Sequence, residues 1–388
     1  EYVKVCSLYG AGFYYIPGTD ICLKIGAYFR AEYAFGNMAA SLTNLDAIGA
    51  DGQRTRVTGP DYQQRARAFV FLDSRQQTAY GTLRAYFNVG WTSDLPQQVG
   101  TSAAALYANR AFIQLAGFTW GVATSYYDFF SSPATSYSVP YSSDTGDGGW
   151  KVAAYTAQLG NGLSATLSLE EPRTQIVTNN SFLDTATVAA YPVGALPGND
   201  FGKVQWPDIV MNLRVDQAWG AAQIMGAIHQ VNGGYFGGTI GGGTCAAGIA
   251  GTVGNVCSGH PSDEIGFAIG AGIKVNFPMI GPGDYFQAQV NYTEGALRYA
   301  ALTPSSAGGP GIFGNAGLGM GIFNTASYCG AGPTNVTAVC PLGGSGINLT
   351  TAWSAQAAYE HFWTPSLRTS LVGAYTDISY NGQASAQM

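Results

Sequence analysis

The chain has 388 residues, a formal net charge of -6 and only 10% charged residues, against about 25% in a typical soluble domain. No run of roughly 18 apolar residues exists to make a membrane helix, and no basic stripe stands out to attract nucleic acid. Apolar residues are spread in alternation with polar ones and no linker divides them, which fits one large β domain.

Glu1 opens the chain with neither Met nor an apolar signal region, so either a signal peptide has been removed or the residues are a portion of a mature protein. Six cysteines fall into three close pairs, Cys6 with Cys22, Cys245 with Cys257 and Cys329 with Cys340. Neighbour pairing is the simplest connectivity and implies an oxidising compartment. Reduced thiols or metal ligation is the alternative, but the spacings do not resemble C-x₂-C and the histidines are only His229, His260 and His361. Residues 1–22 thus read as an N-terminal segment closed by a disulfide.

From Leu23 to Phe35 strict alternation places Leu23, Ile25, Ala27, Phe29, Ala31 and Tyr33 on one face and Lys24, Gly26, Tyr28, Arg30 and Glu32 on the other. The same period predicts strands from Arg65 to Asp73, Thr82 to Trp91, Arg110 to Ala116 and Trp120 to Tyr126. After a long segment come Val152 to Leu159 and Leu163 to Glu170, joined by the hairpin signal Gly160-Asn161-Gly162. Further pairs are Ile209 to Asp216 with Ala222 to Val231, Ile265 to Phe277 with Tyr285 to Glu294, and Trp353 to Glu360 with Leu367 to Tyr375. The apolar-face positions of these thirteen strands carry no charge, as lipid contact requires, since Arg or Lys at mid-bilayer costs about 2 to 4 kcal/mol.

Short connections alternate with long ones from Gly36 to Asp61, Thr92 to Asn109, Tyr127 to Trp150, Glu171 to Pro207, Asn232 to Glu264 and Gly295 to Thr351. All long loops then emerge on one side, as in barrels of the bacterial outer membrane. Aromatic residues gather where strands meet loops, among them Tyr33, Trp91, Tyr126, Tyr127, Tyr292, Trp353 and Trp363, which suits interfacial girdles. The expected fold is an all-β, transmembrane antiparallel β-barrel over residues 23–388.

The N-terminal stretch Glu1-Tyr2-Val3-Lys4-Val5-Cys6-Ser7-Leu8-Tyr9-Gly10-Ala11-Gly12-Phe13-Tyr14-Tyr15-Ile16-Pro17-Gly18-Thr19-Asp20-Ile21-Cys22-Leu23-Lys24 closely resembles the start of the mature α-proteobacterial porins of rhizobia and Brucella. So do Asp73-Ser74-Arg75-Gln76-Gln77-Thr78-Ala79-Tyr80-Gly81-Thr82-Leu83-Arg84, Ala116-Gly117-Phe118-Thr119-Trp120-Gly121 and Tyr155-Thr156-Ala157-Gln158-Leu159-Gly160-Asn161-Gly162. The resemblance implies a homotrimeric, sixteen-stranded, water-filled barrel in the outer membrane, surrounded by lipid and lipopolysaccharide. It implies passive diffusion of small hydrophilic solutes and ions, with the third long loop folded into the lumen. With thirteen strands counted and no terminal aromatic strand at Gln387-Met388, it also implies that the last three strands are missing from the sequence.

Of the 12 arginines, eight precede Ala111. Parity turns Arg30, Arg65, Arg67, Arg75, Arg84 and Arg110 inward as a basic wall, unless some of them merely pair with Glu32 and Asp73. The segment from Tyr127 to Trp150 has the position of the constriction loop, and its carboxylates Asp128, Asp144 and Asp147 could oppose the arginines across the pore. Asp144 and Asp147, in Ser-Asp-Thr-Gly-Asp-Gly-Gly, could equally make turns. An enzyme would need a Ser/His/acid set, a G-x-S-x-G element or an H-E-x-x-H motif, and none is present, so no catalytic residue, metal or cofactor is expected. The alternative function is a ligand-binding or adhesin-type outer-membrane barrel with functional extracellular loops. A soluble multi-sheet protein is the third reading.

Overall fold

The computed structural model describes residues 4–35, 62–95, 103–129, 149–179, 200–235, 259–300, 310–312, 320–322, 325–329 and 344–387. Fourteen strands form one sheet. They are β1 (Tyr14–Tyr15), β2 (Cys22–Phe35), β3 (Tyr62–Thr78), β4 (Gly81–Leu95), β5 (Ala103–Leu115), β6 (Phe118–Ala123) and β7 (Trp150–Gly160). They continue as β8 (Leu163–Glu170), β9 (Asp208–Gln217), β10 (Gly220–Val231), β11 (Glu264–Asn276), β12 (Tyr285–Glu294), β13 (Thr351–Thr364) and β14 (Leu367–Ser379).

Each strand pairs antiparallel with the next in sequence, so the sheet is a continuous meander. All thirteen strands expected from alternation are present. The resemblance implies sixteen, and among the described residues no pairing joins β14 back to β1 or β2. Among the described residues no helix is long and apolar enough to cross a membrane.

Register sorts the side chains into two faces of opposite character. One face exposes Phe29 (70%), Leu106 (77%), Ile224 (60%) and Leu371 (77%). The other buries Asp73, Thr119, Thr166, Ser168, Gln223, Gln289, Asn291 and Ser354. This inverts the polarity of a water-soluble sandwich and is what lipid outside and water inside demand.

Tight turns close one end of the sheet. Ala116-Gly117 (φ 51° and 88°) and Asn161-Gly162 (φ 50° and 75°) are both left-handed pairs, the geometry of two-residue hairpins. The long connections 36–61, 96–102, 124–149, 171–207, 232–263 and 295–350 leave the opposite end. Three pieces of two of them meet as a small sheet of Val177–Asn179, Ala326–Tyr328 and Asn348–Leu349, around a core of Val177, Val231, Ala326 and Tyr328.

Two sequence expectations are corrected. The strand expected from Trp120 to Tyr126 ends at Ala123, because Ser125 and Tyr126 turn away to bind Glu170. Tyr127 is therefore fully buried against Val210, Met225 and Ala268, with Tyr126 packed beside it, so neither belongs to an interfacial girdle. Tyr33, Trp91, Tyr292, Trp353 and Trp363 are exposed, as a girdle requires.

Candidate functional site: the polar face and its inserted loop

The polar face of β2 to β5 carries the basic wall. Arg30 lies directly opposite Arg67, and Arg75 opposite Arg84. Like charges in register repel, and Asp73 relieves the second pair. Its carboxylate accepts from Arg75 Nε (3.1 Å) and Nη2 (2.8 Å) and from Arg84 Nε and Nη2 (both 3.0 Å). Arg84 Nη1 also donates to Gln114 (3.3 Å) and Arg67 Nε to Thr92 (3.4 Å).

Arg75 sits over the rings of Phe13 and Tyr9, so the N-terminal segment stacks on the wall. That segment is closed by the Cys6–Cys22 disulfide. Arg110 Nη1 donates to the Asn109 carbonyl (2.7 Å). Arg65 belongs to β3, but its side chain lies outside the described residues, as do Asp144, Asp147, Cys245, Cys257 and Cys340. Cys329 is disulfide-bonded.

Residues 124–129 leave β6 and run across the polar face. The Tyr126 carbonyl accepts from Asn212 (2.7 Å) on β9 and Gln223 (3.3 Å) on β10. Phe129 reaches β11 and β12, where its N–H donates to Gln289 (3.2 Å) and its ring lies against Gly272. A β-carbon at Gly272 would come within 2.2 Å of that ring, so only glycine permits the approach.

A buried charge cluster pins this segment. Arg173, 1% exposed, donates to Asp128 (2.8 Å), Ser125 (3.2 Å) and the Arg298 carbonyl (3.0 Å). Its guanidinium stacks on Tyr299 at 4.0 Å. Ser125 donates to Glu170 (2.6 Å), while Asp208 accepts from Tyr299 (2.7 Å) and contacts His229 Nδ1 (2.7 Å). Desolvation works against the charge on Arg173, yet Asp128, Tyr299 and Glu170 together outweigh it and raise the pKa. Burial raises the Tyr127 and Tyr299 phenols, so both stay neutral. Asp128 therefore borders the polar face with its charge matched by Arg173.

The sequence profile described as "Porin subfamily" matches residues 1–388. The chain belongs to the porin subfamily. A putative outer membrane protein of Sinorhizobium fredii is 34% identical over 128 residues, 33% of this chain and 34% of the relative. Porin Omp2b of Brucella suis is 29% identical over 180 residues, 44% of this chain and 43% of the relative. Porin Omp2a of Brucella ovis is 29% identical over 191 residues, 44% and 50% respectively. The matched region spans a third to a half of these relatives' length. The fold is that of the outer membrane channel DcaP of Acinetobacter baumannii, with a TM-score of 0.52 and 12% identity over 92% of this chain and 79% of that one. This porin is thus an outer-membrane protein.

Sequence reading singled out the arginine wall and Asp128 of this porin but missed Glu170, Arg173, Asp208, His229 and Arg214. Glu170 and Asp208 had a usable signal, since both continue the inward parity of their strands. Arg173 and Tyr299 had none, because each stands in a loop that only the tertiary fold brings to Asp128.

Proposed function

We propose that this porin is a passive, non-enzymatic diffusion channel for small hydrophilic solutes and ions, working as a homotrimer embedded in outer-membrane lipid and lipopolysaccharide. The observation that carries this is the inverted sheet, with apolar side chains exposed on one face and a charged, hydrogen-bonded face on the other that a long loop enters. Transport through such a wall needs a polar cross-section and a field, not a reacting group.

In this reading residues 1–22 are an N-terminal segment closed by the disulfide and residues 23–388 the barrel. The segment 127–150 narrows the pore, with Asp128 as its anchor and Asp144 and Asp147 as its acids. Arg30, Arg65, Arg67, Arg75, Arg84 and Arg110 give the facing wall a positive potential, which low-dielectric surroundings strengthen.

Reconstitution in a planar bilayer tests the reading. Stepwise conductance without any added ligand is the expected result. A protein that inserts but conducts only with a bound partner, or not at all, would contradict it.

A further inference from the structure

A row of aromatic rings crosses the polar face and stops beside an empty space. Phe71 of β3 stacks on Tyr86 of β4 (centroids 6.3 Å, planes 19° apart), and Tyr86 on Phe112 of β5 (5.3 Å, 19°). Both separations are those of favourable ring pairs. The next strand places Gly121 opposite Phe112. Gly121 has φ +121°, and a β-carbon there would come within 2.2 Å of the Ala111 carbonyl oxygen. No side chain can therefore continue the row, and the flanking inward positions on β6, Thr119 and Ala123, are small.

The space beyond Phe112 is a cavity of about 340 Å³, bordered also by Arg110, Arg214, Thr119, Tyr126 and Asp128. A cavity of about 150 Å³ suffices to hold benzene, so a ring with a charged substituent fits with water to spare. Two guanidinium groups border the cavity; Arg214 is held by Asp216 (2.8 Å), which does not line it, and the lining carboxylate Asp128 is matched by Arg173, so Arg110 sets the sign of the lining. An anion is favoured over a cation there.

We propose that this cavity is a binding subsite for planar aromatic carboxylates, whose ring continues the Phe71-Tyr86-Phe112 row over Gly121 while the carboxylate meets Arg110 or Arg214. The inference rests on the channel reading, because the lumen is the route to the cavity. It adds a solute class that neither charge nor pore width would select.

Ligand-observed NMR titration of the purified, detergent-solubilised protein with benzoate and with cyclohexanecarboxylate tests it, since the two share charge and size but only benzoate has a π face. Benzoate should bind about fivefold more tightly, the gain of one ring contact. Phe112→Leu should remove that preference, Arg110→Gln should weaken both acids, and Tyr28→Leu, at a ring outside the cavity, should change neither. Equal affinity for the two acids, or a preference that survives Phe112→Leu, would overturn the proposal. Conductance recorded on the same preparation separates the two claims. Channels without aromatic preference sink the subsite alone, and benzoate binding without channels sinks the channel reading.

Discussion

Arg173 brings a positive charge into a site where water reaches 1% of its side chain, and three carboxylates, Asp128, Glu170 and Asp208, lie within the same hydrogen-bonded cluster. Removing one partner of a buried ion pair leaves the other uncompensated and costs about 3 to 5 kcal/mol, whereas replacing both by apolar groups costs far less. Arg173→Met should therefore lower the thermal midpoint sharply, and Arg173→Met with Asp128→Leu should recover much of the loss. A double variant no more stable than the single one would show that the pair is not the coupled unit described here. The cluster holds residues 124–129 on the polar face, so the same substitution should alter conductance in whatever protein folds.

The strands were legible because lipid enforces period-2 alternation with no charge on one face, and each of the thirteen expected strands is found. Phe29 and Tyr28 show the consequence. Phe29 is 70% exposed on the apolar face, while its neighbour Tyr28 stacks on Phe69 on the polar face. Phe29→Lys should impair insertion into bilayers by about 2 to 4 kcal/mol, and Tyr28→Lys should leave insertion intact; equal defects in a folding assay would mean that the register is wrong. Strand ends were less legible. The alternation alone gave no reason for β6 to stop at Ala123, since the cause is Glu170, 44 residues from Tyr126 in sequence. The aromatic row went unread for a similar reason, because it depends on cross-strand register that one sequence does not display.

The turn between β11 and β12 has a pH dependence of its own. Asp284 accepts from the Tyr359 hydroxyl (2.8 Å) and the Phe362 N–H (2.9 Å) and contacts His361 Nδ1 (2.6 Å). Desolvation would raise its pKa, but these partners outweigh it and hold the carboxyl below the usual range. Such a group stabilises the fold above its unfolded pKa of about 3.9, and that contribution disappears as pH falls through the lower folded value. Between about pH 5 and about pH 3 the parent should lose thermal stability more steeply than Asp284→Asn. Parallel curves for the two proteins would contradict this.

At the scale of the whole molecule, the proposed channel makes the sheet, apolar on one face and charged on the other, a wall around water, and the uneven placement of its charges should make that water ion-selective. Among the described side chains of β2 to β5, Lys24, Arg30, Arg67, Arg75, Arg84 and Arg110 share the polar face with one carboxylate, Asp73. Arg84 is the most informative of them, because it also contacts Tyr86, Phe112 and Gln114 on the polar face. The direct test is the reversal potential across a planar bilayer under a potassium chloride gradient, for the parent and for Arg84→Glu. The variant should shift toward cation selectivity without loss of open-channel conductance, and the shift should shrink near 1 M salt, where the Debye length is about 3 Å. An unchanged reversal potential at low salt would contradict the account, because Arg84 would then not face the path that ions take.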